Sequence, residues 1–350
     1  SRLEDGVVAI SFGIDPTDES TAAVQSRERQ AEAATVEQLL GPRSVVVVGS
    51  PAPDGLGRAL VESLVAGGFR GVVSMVAPQP RDGSPRTEEA GDAAPVTGSL
   101  PVEMHDQIPA GTDLALIAVP APEVQDVVEQ CAEAGVGAII VHSAGFSETG
   151  SEGADREREL LEVARRNGVR VLGPASLGLV NTDPEVRLHA TVAAGRPPAG
   201  SVAMLAESGT LAAALLEEAE RRQLGMSTFV AGGNEADVGP ADMLSFWAGD
   251  PNSDAVLLYM RSSGIPTRLV RAAHAASVAK PVALLGSVFL RTDDMAETRR
   301  RVDALSRQTG LISVGTLEQL FDIGRLCADQ PVPLGSGVAV IGNSEGAVGM

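Results

Sequence analysis

The apolar positions of this chain fall into short runs separated by amphipathic stretches rich in small and charged residues. Val45–Val48, Val72–Val76, Leu114–Val119, Ala138–Val141 and Arg170–Leu172 are such runs. A short continuous apolar run bounded by turn residues marks a strand buried on both faces. Helical stretches at Gly57–Ala66, Glu123–Ala134 and Ala154–Asn167 lie between them. Strand and helix therefore alternate, which predicts a five-stranded, doubly wound parallel unit over residues 36–183. A second alternating series covers residues 200–332, with strands expected at Val202–Leu205, Thr228–Val230, Ala255–Tyr259, Pro281–Leu285 and Ile312–Val314. Residues 1–35 read as a leading junction, a short strand followed by a polar helix. Pro80–Gly98, rich in Pro, Gly, Asp and Glu, reads as a mobile loop. Val338–Gly346 repeats the strand–turn–helix pattern of Val202–Gly209, so residues 336–350 are expected to open a third unit or to dock on the second.

One block stands out. Ile139–Val141 is apolar, and His142-Ser143-Ala144-Gly145-Phe146-Ser147-Glu148-Thr149-Gly150 breaks abruptly into small, polar and glycine residues. A parallel strand opens into such a loop at its carboxyl end, where α/β folds place ligands. Composition narrows the ligand. The chain of 350 residues has 44% hydrophobic but only 3% aromatic residues, which suits helices packed closely on parallel sheets. A net charge of −19 argues against nucleic acid or an anionic membrane as partner. An anionic ligand would have to be held locally, by backbone amides and helix amino ends. The two cysteines, Cys131 and Cys327, lack metal spacing and read as small buried residues of a reduced compartment. With no secretory leader and no long apolar run, the expectation is a soluble cytoplasmic protein without a metal site. Lys280 is the only lysine among 27 basic residues, so a lysine-dependent phosphate loop is absent.

The turn after the first strand is Gly49-Ser50-Pro51-Ala52-Pro53-Asp54-Gly55-Leu56-Gly57. Its glycines would let backbone amides reach a phosphate ahead of the next helix; a mere tight strand-to-helix connection is the alternative. The spacing is not G-x-G-x-x-G, and the second strand ends in Met75-Val76-Ala77-Pro78 without the acidic residue that binds a nicotinamide cofactor's ribose. A dinucleotide dehydrogenase is disfavoured.

Four blocks in order carry a resemblance: Arg43–Ser50, Asp113–Pro120, Ser143–Gly150 and Gly173-Pro174-Ala175-Ser176-Leu177-Gly178. The chain, from about Val36 to Met350, resembles the NDP-forming acyl-CoA synthetases, which include the succinyl-CoA synthetase α subunit. The resemblance implies a Rossmann-like, doubly wound CoA-binding domain followed by a flavodoxin-like α/β ligase domain, with coenzyme A or an acyl-CoA as cofactor. It implies that the turn carrying Gly49, Ser50, Pro51, Gly55 and Gly57 meets the CoA phosphates. Val119, Pro120, Ser143, Ala144 and Gly145 would flank adenine-ribose and pantetheine, and Pro174 would lie beside the thiol end. Two departures stand out. The family's Asn-Pro-Lys is Ala77-Pro78-Gln79 here, so Gln79 takes the place of a charged phosphate contact, a loss of about 1–3 kcal/mol. The family's Gly-Pro-Asn is Gly173-Pro174-Ala175.

The family's second domain carries a phosphoryl-accepting histidine in a loop after a Lys-Pro-hydrophobic strand. The strand is present as Lys280-Pro281-Val282-Ala283-Leu284-Leu285, but Gly286–Arg301 contains no histidine. The family's Leu-Tyr-Leu-Glu is Leu258-Tyr259-Met260-Arg261, replacing the carboxylate that would hold the ring with a repelling guanidinium. The phosphate turn survives in part as Ser208, Gly209 and Thr210, preceded by Ala206 and Glu207; Ser208 as an ordinary helix N-cap is the alternative. Gly233-Asn234-Glu235-Ala236-Asp237 reverses the charge of the family's Gly-Asn-Lys-Ala-Asp. The chain's four histidines, His105, His142, His189 and His274, are expected at the surface or at caps, His105 within the mobile region. No catalytic residue is assigned.

Three functions stay open. One is a catalytically silent CoA- or acyl-CoA-binding module that regulates or scaffolds an attached acyltransferase. Gly6–Thr17 and Arg27–Ala33 resemble the junction after a GNAT-type acetyltransferase in fused bacterial proteins, the protein lysine acetyltransferases. Another is a working ligase fragment that forms acyl-CoA when an ATP-grasp domain is supplied. The last is a structural domain that has lost CoA binding. A homo-oligomer is compatible with each; nucleic acid and membrane are not expected partners.

Overall fold

The computed structural model describes residues 2–4, 7–9, 36–77, 102–260, 266–286, 295–331 and the single positions 335, 337, 339 and 341. The loop expected at Pro80–Gly98, Gln79, Arg261, the histidine-free loop over 287–294, most of the leading junction and the expected third unit lie outside the described residues. Strands β1 (Arg2–Glu4) and β2 (Val7–Ala9) pair antiparallel.

The first unit is a six-stranded parallel sheet. Its strands are β3 (Ser44–Gly49), β4 (Val72–Val76), β5 (Glu103–His105), β6 (Leu114–Ala118), β7 (Ala138–Val141) and β8 (Arg170–Leu172), in the order β5-β4-β3-β6-β7-β8. Helices α1 (Leu56–Gly67), α2 (Ala121–Glu133) and α3 (Ser151–Arg166) cover it. Alternate residues point to opposite faces. Val46, Val48, Ile117, Ile139 and Val141 pack with Val124, Val128, Cys131, Leu160 and Val163 of α2 and α3. Val45, Val47, Leu116 and Ile140 pack on the other face with Leu60 and Leu64 of α1. The five expected strands are present. The sixth, β5, is a three-residue edge strand too short to carry a periodic signal, with Met104 its single apolar residue, and it places His105 in the sheet rather than in a loop.

The second unit is a seven-stranded mixed sheet in the order β10-β9-β12-β11-β13-β14-β15. Five of its strands match the expected runs: β11 (Ala199–Ala206), β12 (Met226–Ala231), β13 (Ala255–Met260), β14 (Val282–Gly286) and β15 (Ile312–Ser313). Helices α4 (Gly209–Arg221), α5 (Pro240–Gly249), α6 (Thr267–Ala279), α7 (Met295–Thr309) and α8 (Leu317–Asp329) accompany them. The antiparallel hairpin β9 (Gly178–Asn181) and β10 (Leu188–Thr191) was not expected from the sequence, and β9 pairs with β12 of this sheet. Trp247, the only tryptophan, is fully buried and donates Nε1–H to Thr228 Oγ1 at 2.9 Å.

The two units share one apolar core. Leu60 and Leu64 of α1 belong to the same buried cluster as Leu179, Leu188, Ala190 and Trp247. His189 on β10 is buried there, not at the surface: Ser63 Oγ lies 2.8 Å from Nδ1 and the Gly195 carbonyl 3.1 Å from Nε2. Alternation along the hairpin turns it inward, and two partners compensate its desolvation. An ion network adds a polar clamp. Arg170 on β8 donates to Asp237 at 2.8 Å and to Asp242 at 3.0 Å, and Arg268 on α6 donates to Asp242 at 2.7 Å. Asp242 is fully buried and also accepts from the Gly239 amide at the start of α5. His274 is exposed on α6, as expected; Cys131 is buried, while Cys327 is only half-buried.

Candidate functional site

Parallel pairing sends the carboxyl ends of β3, β6, β7 and β8 to one edge of the first sheet, side by side. The four sequence blocks follow those strands, so the fold gathers them along one rim. At β3 the Gly49–Gly57 turn is tight because its glycines touch. A Cβ on Gly57 would lie 2.9 Å from the Gly49 carbonyl carbon and the Ser50 oxygen, and one on Gly49 would lie 2.9 Å from the Ala118 oxygen. Helix α1 therefore starts directly against the ends of β3 and β6. Gly55 occupies its N-cap position and supplies no side-chain cap. Arg58 N is taken by the Ser50 carbonyl, and Ser50 Oγ accepts from Ala52 N at 3.2 Å. Ser50 is exposed and Pro51 half-buried, leaving the partly positive helix end open to an anion.

The next two blocks are bonded to each other. Ser143 is buried, and its hydroxyl donates to the Val119 carbonyl at 2.5 Å, tying the end of β7 to the end of β6. Ser143 thus braces the rim, while exposed Ala144 and Pro120 form its surface. Gly145 adopts φ +108, a region open to glycine but not to most residues. Glu148 folds back so that Oε1 accepts from Gly145 N at 2.5 Å and Phe146 N at 3.2 Å. Burial would raise its carboxyl, but hydrogen bonds from Asn234 and those amides outweigh it and hold the group below the usual carboxylate range.

That Asn234 contact joins the units at the rim. Asn234 Nδ2 lies 2.6 Å from Glu148 Oε2, 2.8 Å from Glu157 Oε2 and 3.1 Å from Ser147 Oγ. Its backbone amide donates to the Pro174 carbonyl, and Ala236 N donates to Gly173 O. The Gly173–Pro174 bond is cis, and Ala175 follows at φ +53, with its amide on Ser143 O. The family's asparagine tolerates that left-handed backbone; alanine adopts it at a cost of about 1 kcal/mol. Across the gap, the Ala175 carbonyl oxygen is 3.6 Å from where a Gly209 Cβ would stand, so the start of α4 faces the Pro174 turn. Ser208 caps α4, accepting from Leu211 N at 3.5 Å, and Thr210 is exposed beside it. The N-cap alternative for Ser208 therefore holds, and Glu207 is buried behind it with its amide on Tyr259 O.

His142 is a second correction to the surface expectation for histidines. Its ring lies beneath the Gly173–Gly178 turn, with Cε1 2.9 Å from where a Gly178 Cβ would stand. Nε2 is shut off from solvent and has no hydrogen-bond partner among the described residues. Burial pushes its pKa down to about 4, against a smaller upward pull from the Ser176 backbone. His142 follows the last residue of β7, and period-2 alternation puts it on the same side as Ile140.

The rim thus offers a helix end without a side-chain cap and a facing helix start, features suited to an anionic group. Gly49, Ser50, Pro51, Gly55, Gly57, Val119, Pro120, Ser143, Ala144, Gly145 and Pro174 lie in the loops that follow β3, β6, β7 and β8 at one edge of the first sheet, and Ser208, Gly209 and Thr210 open α4 opposite the Ala175 carbonyl. Glu148 and Glu157, which the sequence reading did not single out, prove central because Asn234 binds both.

Comparison with known proteins agrees with this arrangement. Residues 43–182 match the model of a CoA binding domain, and residues 199–327 match a succinyl-CoA ligase like flavodoxin domain. The chain is 32% identical over 322 residues to the α subunit of an ADP-forming acetate–CoA ligase I of Pyrococcus furiosus, covering 89% of this chain and 67% of that subunit. It is 33% identical over 301 residues to an ADP-forming acetate–CoA ligase I of Archaeoglobus fulgidus, covering 83% of this chain but 42% of that protein. The dinucleotide-forming acetyl-coenzyme A synthetase 1 of Ca. Korarchaeum cryptofilum superposes with a TM-score of 0.74 at 28% identity, over 86% of this chain and 64% of that one. The chain thus spans between about two fifths and two thirds of these relatives.

Proposed function

The chain belongs to the NDP-forming acyl-CoA synthetases, and from that premise we propose that it binds CoA or an acyl-CoA without itself carrying a phosphoryl group. The observation that carries this reading is the gathering of four loops at the carboxyl ends of neighbouring strands β3, β6, β7 and β8, beside the uncapped start of α1. In this reading the CoA phosphates sit at Gly49–Gly57, the pantetheine runs along Val119-Pro120 and Ser143–Gly145, and the thiol end reaches Pro174. The absence of histidine from Gly286–Arg301 and the arginine at 261 support a silent second domain. The resemblance of the leading residues to an acetyltransferase junction supports a regulatory or scaffolding task for an attached acyltransferase.

Calorimetric titration with CoA and acetyl-CoA tests the binding. Heat with a Kd below about 1 mM is expected; a flat titration at millimolar ligand refutes the reading. The ligase character of the relatives favours one other reading, a working ligase half that needs an ATP-grasp domain. Incubation with labelled ATP, Mg²⁺ and such a domain separates the two. A phosphohistidine on this chain supports the ligase reading and overturns silence.

A further inference from the structure

A cavity of about 260 Å³ opens where the carboxyl end of α1 meets the β9–β10 hairpin. Arg187, His189 and Arg196 line it, and none of its lining residues is an aspartate or glutamate. That is unusual in a chain with 46 acidic against 27 basic residues. The other polar groups of the wall are already used. Asn181 donates to Leu40 O and accepts from Asp183 N, and Thr182 Oγ1 donates to the Met226 and Ser227 carbonyls. Because a carbonyl only accepts, His189 Nε2–H donates to Gly195 O and Nδ1 accepts from Ser63 Oγ. Burial holds this imidazole below its usual range, the Gly195 bond opposes the shift and the Arg196 charge adds to it, so the ring stays neutral.

The two guanidiniums are left. Among the described residues neither Arg187 nor Arg196 takes part in an ion pair. Two neighbouring carboxylates make other contacts: Glu220 accepts from the backbone amide of Arg196 rather than from its guanidinium, and Asp183 accepts from Glu185 N and Asn252 Nδ2. Arg187 sits at φ +50, a backbone that costs a non-glycine residue about 1 kcal/mol. The amides of Val186 and Arg187, both bonded to Asp183 O, hold it there. Its side chain passes over the end of α1, where the position of a Gly68 Cβ is 3.8 Å from both Cδ and Nη1. The carbonyls at that end are closed by the amides of Gly68 and Phe69, and the helix's half-charge is smaller than two full positive charges.

We propose that this cavity binds a small phosphate-type oxyanion, inorganic phosphate or a phosphomonoester head, through Arg187 and Arg196. The planar fork of each guanidinium matches such an anion. The site is distinct from the CoA rim, because α1 puts about 18 Å between its two ends. It does not depend on the CoA reading. The test is phenylglyoxal modification of the full chain, read residue by residue by mass spectrometry with and without inorganic phosphate. Phosphate is expected to slow modification of Arg187 and Arg196 at least fivefold, leaving Arg158 and Arg325 unchanged. Calorimetry should show phosphate affinity at least tenfold weaker in the Arg187→Gln/Arg196→Gln double variant, with the CoA titration unaltered. Unprotected arginines, equal protection by acetate, or undiminished phosphate binding in the double variant each overturns the proposal.

Discussion

Replacing His142 by glutamine isolates the effect of the orphaned ring nitrogen under the rim. In the folded chain the imidazole is held at about 4, against 6.5 for the free side chain. Protonation would place a second N–H at Nε2, where the described residues supply no acceptor. The folded pKa is depressed, so between pH 6.5 and 4 the unfolded chain binds the extra proton and stability rises with pH. The contribution is complete above pH 6.5 and is lost as pH falls toward 4. At about 1.4 kcal/mol per pH unit, the fall from 6.5 to about 4 amounts to about 3.5 kcal/mol. Urea unfolding at pH 7.5, 6.5, 5.5 and 4.5, followed by circular dichroism, measures it. The wild type should lose stability steeply between pH 6.5 and 4.5, and His142→Gln should follow a slope shallower by close to one proton. Parallel pH profiles for the two proteins would refute the reasoning, because the excess proton uptake would then come from other groups.

Asp242→Asn removes the buried charge that Arg170 and Arg268 share. Breaking a buried pair costs about 3–5 kcal/mol, and the partial exposure of Arg268 argues for the lower end. Differential scanning calorimetry should then show Tm lower by about 6 °C, at roughly 2 °C per kcal/mol. Ala175→Asn restores the residue type suited to φ +53 and should raise the urea midpoint by an amount equivalent to about 0.5–1 kcal/mol. Gly57→Ala forces a methyl against the backbone of Gly49 and Ser50, atoms that cannot swing aside. A loss of about 1–3 kcal/mol in stability and at least tenfold in CoA affinity by calorimetry are expected. Ala66→Ser at the far end of α1 should leave CoA affinity unchanged.

Most strands legible in the sequence are covered on both faces, because burial on both sides writes a continuous apolar run; the exposed β15 is the exception. Val72–Val76, Ala138–Val141 and Arg170–Leu172 coincide with their observed limits. The hairpin of β9 and β10 escaped notice for the opposite reason. Gly178-Leu179-Val180-Asn181 and Leu188-His189-Ala190-Thr191 mix polar with apolar positions. Their polar groups become acceptable inside only because Ser63, Leu40 and Gly195 come from elsewhere to meet them. The same blindness sent His142 and His189 to the surface in the sequence reading. A lone histidine carries no periodic signal, and Ser63, which meets His189, lies 126 residues away in the chain.

The rim itself was readable in outline. Glycine at 49, 55 and 57, the Ser143–Gly150 block and Gly173-Pro174 are local demands of tight turns, and local demands are visible residue by residue. The division of labour within the rim was not. Ser143 turned out to brace Val119 with its hydroxyl, and Asn234 to reach Glu148 and Glu157 across the boundary of the two units.

Sequence alone determined the alternation of strand and helix, the parallel character of the first sheet and the position of the glycine-rich loops at its carboxyl edge, since these follow from apolar spacing and turn chemistry over a few residues. Tertiary structure decided which loops became neighbours, which histidines lost their solvent and which arginines lack carboxylates. Those properties depend on distances between residues far apart in the chain, and a linear pattern does not encode them until the two sheets share a core.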